Sequence, residues 1–430
     1  MDSQPSNGSK VLVISYGGSH IKILLPVIEE LEKVGIHVDI LGLTTAVSFL
    51  KEKNRKFYGF KDFIDPIKDQ QALMHGRRIV DEHHDGNIGI DYEESVAYLG
   101  VSWWELLQDY GETQALALFK QWGRQIFLPK RFISRLFDAW QPHVYLSTNS
   151  PRAEWAGLYV ARERGIPTIR VSDMLGNQRG DGPRADVICL SCNEAESLIK
   201  TSERYEPGSH FVVTGSPQFD WLLPWQDKSR EDILNYKRSL GIDPPTKPLI
   251  LYVLTASLAD GEEDGFRALA QISRERNDVA IAIRAHPNAG YKHHLRSIER
   301  YWPEKRFIDL SHEPLGWALV ASDMILNKHS TVSVEAILLG KRVITIRSPN
   351  EKHLLPISDF GWAIDAYHPE GIKRCLEQIL NEPISNHEKI KNSVHESFHF
   401  DGRARYRIAE IVQKAMQSRL REEPNRQYMI

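Results

Sequence analysis

"KVLVISYGGSHIKILLPVIEELEKVGIHVDILGL", residues 10–43, contains one complete turn of the pattern that decides the fold. The apolar run 10–16 reads as a strand buried on both faces. A helical pattern follows over 20–34, and Gly35 closes it with the backbone freedom a helix end favours. Residues 37–43 then read as a second buried strand. Strand, helix and strand at these lengths predict a right-handed βαβ unit and a parallel sheet.

The same alternation continues outward. "PHVYLSTNS" (142–150) reads as a strand feeding a helix over 152–164 that ends at Gly165, and "PTIRVSD" (167–173) and "ADVICLSC" (185–192) follow as strands. Residues 68–130, with Trp103, Trp104 and Trp122, are too long for a plain connection and predict a helical insertion. Beyond a charged, proline-bearing stretch the alternation restarts. Strands are expected at 249–255, 279–287, 306–311, 322–327 and 342–346, with a helix over 264–275. The expected organisation is an N-terminal Rossmann-like domain over 1–223, a linker over 224–248, a second Rossmann-like domain over 249–385 and a helical tail over 386–430. Two such domains in series imply a cleft between them, with ligands at the carboxyl ends of the strands.

Composition narrows the function. A chain of 430 residues exceeds one ordinary core, and 41% apolar with 26% charged residues describes a folded protein. The net charge of −3 leaves no electrostatic footprint for nucleic acid. Cys189 and Cys192 have C-x-x-C spacing without a second pair, and their apolar neighbours mark them as buried strand residues. A reducing, cytoplasmic setting is expected. The polar start lacks the apolar core of a signal peptide, and no run of 18 apolar residues occurs. Peripheral contact with the inner face of a membrane is compatible with both.

Candidate chemistry lies in the loops after strands. In "SYGGSHIK", Gly17 and Gly18 let backbone approach a ligand, and His20 at the helix start can take a proton from a hydroxyl. "RAHPNAGY" (284–291) delivers Arg284 and His286 to a strand end, where an imidazole can donate to phosphate. In "NKHSTVSVEAILLGKRVITI" (327–346), Ser330 or Thr331 starts a helix and Gly340 ends it. With Ser330 as cap, the N–H groups of 331–333 are open to an anion, and Thr331 and Glu335 share one face. A capping box needs Glu or Gln at 333, where Ser333 stands, so a purely structural account of Glu335 is incomplete, and its carboxylate is well placed to accept from two ribose hydroxyls. Thr255 and Ser257 suit a phosphate edge, while the acidic run 260–264 reads as a solvated helix start. "DEHHDG" (81–86) has a metal-like composition without the i, i+4 histidine pair, and reads as a loop.

Taken in order, these segments resemble the GT-B glycosyltransferase superfamily, and over most of the chain the UDP-N-acetylglucosamine 2-epimerase branch. "PHVYLSTNSPRAEWAGLYVARERGIPTIRV", "ADVICLSCNEAESLI", "FVVTGSPQFDWLL", "HSTVSVEAILLGKRVITIRSPNE" and "FDGRARYRIAEIV" carry that resemblance. "RAHP" with "NKHSTVSVEAILLGKRVI" also looks like capsule polysaccharide transferases and CDP-glycerol glycerophosphotransferases. The resemblance implies that His286, Ser330 and Thr331 hold nucleotide phosphates and Glu335 the ribose. Departures bear on activity. The first loop keeps only Lys22 of a "GTRPE"-like run, Ser147–Ser150 stand where an aspartate belongs, and Ser172 and Asp173 replace a glutamate. "LTASLAD" has no histidine where the epimerases of that branch have one.

The expectation from sequence is therefore a metal-independent GT-B glycosyltransferase of surface-polysaccharide or glycolipid assembly. Its donor substrate is a nucleotide sugar and it needs no further cofactor. The acceptor is expected over the first domain and the insertion, with His20 as base and Asp173 as second choice. The nucleotide-sugar set is Gly17, Gly18, Thr255, Ser257, Arg284, His286, Ser330, Thr331 and Glu335. Two alternatives stay open: an epimerase-like or sugar-nucleotide-hydrolysing enzyme, and a non-catalytic sugar-nucleotide-binding protein.

Overall fold

Apolar runs of four to six residues become buried strands, and the glycines that close helices take positive φ, as at Gly35 (80°), Gly165 (63°) and Gly340 (74°). The computed structural model describes residues 10–84, 89–173, 175, 182–202, 205–287, 289–328, 330–349, 355–381 and 384–426. The chain divides into two units, one running to Gln218 and resuming at Arg403, the other covering Phe219–Gly402. The stretch expected as a linker, 224–248, thus lies inside the second unit, and the tail divides at Arg403.

In the first unit the strands are β1 (Lys10–Ser15), β2 (His37–Gly42), β3 (Val144–Ser147), β4 (Thr168–Val171), β5 (Val187–Leu190) and β6 (His210–Val213). They form one sheet in the order β2-β1-β3-β4-β5-β6, with every pairing parallel. The second unit repeats the plan with β7 (Leu249–Val253), β8 (Ala280–Arg284), β9 (Ile308–Asp309), β10 (Met324–Asn327), β11 (Arg342–Ile346) and β12 (Ile364–Ala366). Their order is β12-β11-β10-β7-β8-β9, again parallel. The edge strands β6 and β12 lie outside the sequence expectation. They are short and only partly buried, so neither needs the long apolar run that marks a central strand.

Each sheet carries its own core. The helix Gly18–Lys33 buries Ile21, Leu24, Ile28 and Leu31 against β1 and β3. The helix Ala404–Arg426 adds Ile408, Val412 and Met416 to the same core. In the second unit Phe266, Trp302 and Ile372 close over β7, β10 and β11. Full burial of such side chains is worth roughly 1.5–3 kcal/mol each. Cys189 and Cys192 lie in the first unit fully buried, and burial pushes both thiols up to about 12.

The insertion is helical. Helices Gln70–His83 and Tyr92–Trp122 cross where Gly76 faces Gly100. A Cβ on Gly76 would stand 2.2 Å from the Val96 carbonyl oxygen, and one on Gly100 2.2 Å from that of Ala72. Backbone contacts backbone there, which only glycine permits. Gly111, at φ 73°, breaks the longer helix. Asp81, Glu82 and His83 end the shorter one, while Asp85 and Gly86 lie outside the described residues. Among the described residues no three His, Cys, Asp or Glu side chains are grouped to hold a metal, and no helix is long and apolar enough to cross a membrane.

Candidate functional site

A ligand in an open parallel sheet sits where the strand order reverses, beyond the strand carboxyl ends. In the first unit that point lies between β1 and β3, and in the second between β7 and β10. Each unit therefore has its own crevice, and the candidate residues divide between them.

In the first crevice the loop after β1 delivers Gly17, Gly18 and His20, and the loop after β3 delivers Thr148. The helix opens at Gly18, two residues ahead of His20. A Cβ on Gly17 would approach the His20 ring at 3.2 Å, so glycine leaves the imidazole its place. The Gly18 N–H donates to Thr45 Oγ1 at 2.8 Å, so that N–H of the helix start is engaged within the protein.

His20 is fixed on three sides. Its Nδ1 lies in hydrogen-bond contact with Thr148 Oγ1 and 3.6 Å from Glu154 Oε1, while Nε2 is 3.6 Å from Asp173 Oδ2. Burial pulls the imidazole pKa down, but the Glu154 and Asp173 carboxylates outweigh burial and the Arg152 charge, so it stands above the usual 6.5. Glu154 is wholly buried and organises the loops. Its carboxylate accepts from the Tyr16 N–H at 2.8 Å, the Thr148 hydroxyl at 2.7 Å and the Ser150 N–H at 3.2 Å.

The second unit repeats this construction. Tyr145 donates its hydroxyl to the Glu154 carbonyl at 2.9 Å, and Tyr252 donates to that of Glu262 at 2.5 Å. Thr255 donates to Glu262 through its N–H at 2.9 Å and its hydroxyl at 2.6 Å, as Thr148 does to Glu154. Gly157 and Gly265 lie against the rings of Tyr145 and Tyr252, where a Cβ would come within 2.5 Å. The repeated pattern is Tyr-x-x-Thr at a strand end, then Glu-x-x-Gly in the next helix. Each glutamate also faces a histidine, Glu262 Oε2 lying 3.2 Å from His294 Nε2. The two histidines differ in access: the His294 side chain is sealed, and that of His20 is 17% exposed. Only the first can meet a substrate.

Glu262 corrects the reading of 260–264 as a solvated helix start, because it is fully buried. Burial raises its carboxyl pKa, yet His294 and the donors of Ala259 and Thr255 reverse that and hold it below the ordinary value. The same bonds spend the Thr255 hydroxyl on loop structure, whereas Ser257 is exposed. Arg284 donates to the Leu310 carbonyl and to that of Glu313 at 2.7 Å, so its guanidinium ties loops together. His286 follows β8, half-buried, its carbonyl accepting from the Gly290 N–H at 2.8 Å.

The helix after β10 spans Val332–Leu338, with Thr331 as its cap. It starts one residue later than the reading that placed the cap at Ser330. The Ser330 hydroxyl accepts from the Val332 N–H at 3.2 Å, and the Ser333 N–H donates to the Ser330 carbonyl at 3.1 Å. Two N–H groups expected to be open are therefore engaged. Thr331 is exposed and Glu335 half-buried. Lys328, which sequence reasoning missed, lies buried at this strand end and donates to Ser348 Oγ at 2.9 Å.

Glu154, Thr148 and Arg152 were also missed. Arg152 is a non-glycine residue at φ 78°, its guanidinium stacked 4.3 Å over the Tyr16 ring. The Tyr/Thr/Glu/Gly spacing, once seen twice, was the available signal for the first two.

Two six-stranded parallel sheets of this order, each flanked by helices, are the Rossmann-like halves of a GT-B fold. Residues 186–413, more than half the chain, match the family model described as UDP-N-acetylglucosamine 2-epimerase, and the chain belongs to that family. Among solved structures it is similar to an epimerase of that description, described as putative, from Listeria monocytogenes. That match has 14% identity, a TM-score of 0.59, and covers 96% of this chain and 97% of the other. The UDP-GlcNAc 2-epimerase of Neisseria meningitidis bound to UDP-GlcNAc matches at 13% identity and TM-score 0.58, over 94% and 100%. MurG of Acinetobacter baumannii matches at 14% and 0.53, over 94% and 99%. No curated protein matches in sequence.

Proposed function

We propose that the protein is an enzyme that processes a UDP-sugar by epimerase-type chemistry, with His20 and Asp173 as its acid–base pair. The observation that carries this is His20, held between Asp173, Thr148 and Glu154 at the switch point of a chain from the epimerase family. Inverting C-2 of a sugar removes one C–H proton and returns one from the opposite face. The active site must therefore present groups able to hold and give protons. The family match moves this reading ahead of the glycosyl transfer expected from sequence.

The nucleotide is assigned to the second unit, with Glu335 on the ribose and His286, Lys328, Ser330 and Thr331 at the phosphates. Glu335→Ala is expected to weaken UDP affinity about tenfold, a charged hydrogen bond being worth roughly 1.5–3 kcal/mol. Titration calorimetry with UDP checks it, and unchanged affinity removes Glu335 from the site.

Glycosyl transfer is the second reading, favoured by the departures in the first loop around Lys22, which alone is kept, at Ser147–Ser150 and at Ser172–Asp173. There His20 takes the proton of an acceptor hydroxyl while the nucleotide leaves. Incubation with UDP-GlcNAc in heavy water separates the readings. Deuterium entering C-2 without an acceptor supports epimerisation. UDP release only with added glycan acceptor supports transfer, and binding without either supports a non-catalytic role.

A further inference from the structure

The first unit contains two cavities that share one wall. The inner one, about 300 Å³, opens beside the β1 loop between Tyr16, Thr44 and Thr45 and the insertion residues Ser95 and Tyr98. The outer one, about 400 Å³, lies between the insertion and the helix Ala153–Glu163. Arg152 lines both. Its backbone takes the unusual φ of 78°, and its Nε donates to the Arg124 carbonyl at 3.2 Å. A non-glycine residue in that region is strained and persists where surrounding structure fixes it.

The chemistry of the walls is specific. The outer cavity offers the rings of Tyr110, Trp122, Trp155 and Tyr159, with Trp122 45% and Tyr110 46% exposed. Aromatic faces rimmed by polar groups suit the C–H face of a pyranose ring, which is apolar while its edge carries hydroxyls. Fixed charge in the two cavities favours an anion. Arg124 and Arg152 line the inner one, and its carboxyl, Glu94, is engaged by the N–H groups of Phe60 at 2.8 Å and Lys61 at 3.0 Å. Burial pushes that carboxyl up to about 7, which weakens its opposition to an anion. In the outer cavity Asp109 is paired with Arg131.

We propose that the two cavities form one binding groove for an acidic oligosaccharide, with sugar rings on Trp122 and its aromatic neighbours and a carboxylate at Arg124 and Arg152. The groove leads from the insertion towards the β1 loop that bears His20. This assignment concerns binding alone and holds for either reaction above. It gives the insertion its task, which is to recognise a glycan of more than one ring.

Tri-galacturonate is the probe, with maltotriose as the neutral control and dodecyl maltoside as the lipid-like one. Binding is followed by tryptophan fluorescence and calorimetry without any nucleotide. Tri-galacturonate is expected to bind at least tenfold more tightly than maltotriose. Trp122→Ala and Arg124→Ala should each weaken it at least fivefold. Both side chains are exposed, so both variants keep the fold, which circular dichroism verifies. Failure of tri-galacturonate to bind, equal affinity for maltotriose, or binding indifferent to both substitutions overturns the proposal. Dodecyl maltoside binding in its place assigns the groove to a lipid and overturns it as well. Because no nucleotide is present, failure here leaves the heavy-water result standing on its own.

Discussion

Replacing His20 by alanine is expected to lower turnover about 10²–10⁴-fold while UDP affinity stays unchanged, the range typical of a lost acid–base group. The imidazole is 17% exposed, touches Thr148 and is flanked by two carboxylates, so little of the core depends on it. A fully active variant would eliminate His20 as the proton carrier. The pH profile gives the sign. Glu154 and Asp173 hold the imidazole pKa above 6.5 against burial, so an activity that needs neutral His20 rises as pH climbs through a midpoint above 6.5. Asp173→Asn removes one of those carboxylates and moves the midpoint to lower pH. The stability contributed by this pairing is fully present below 6.5 and fades as pH rises through the folded-state value.

Glu154→Ala is the second large effect, and it acts on stability. The substitution leaves the Tyr16, Thr148 and Ser150 donors without their acceptor in a site with no exposure. Each buried donor left unmade costs roughly 1–3 kcal/mol, which places the loss at about 3–5 kcal/mol. Urea unfolding measures it. A change below about 1 kcal/mol would show that water or neighbouring groups take over the carboxylate's bonds. Glu154→Gln keeps an acceptor and should recover part of the loss, while still moving the His20 midpoint downward.

Both sheets were legible because their central strands are continuous apolar runs. β1 and β7 are buried along their whole length, and no polar residue interrupts the signal. The insertion was legible as an interruption. β6 and β12 were not, because a half-buried edge strand of three or four residues has no distinctive pattern. The site was readable only where its chemistry is local. His20 follows a strand and two glycines, so its position follows from the β1 pattern. Glu154 and Glu262 look like ordinary acidic residues in a first helical turn. Their burial arises because loops separated in sequence fold over them, and helix-start statistics say nothing of that. At Arg284 a charge at a strand end suggests a ligand, and the sequence does not show that its guanidinium also donates to the carbonyls of a neighbouring loop.

The helix Ala404–Arg426 places residues from beyond the second unit into the core of the first. On the ribosome this reverses the usual order in which domains mature. Residues 219–402 are contiguous and can fold as soon as they emerge. The earlier-made sheet must wait for Ile408, Val412 and Met416 before its apolar face is covered. During that interval it exposes a sticky surface, which makes nascent chains stalled before residue 404 the form most in need of a chaperone.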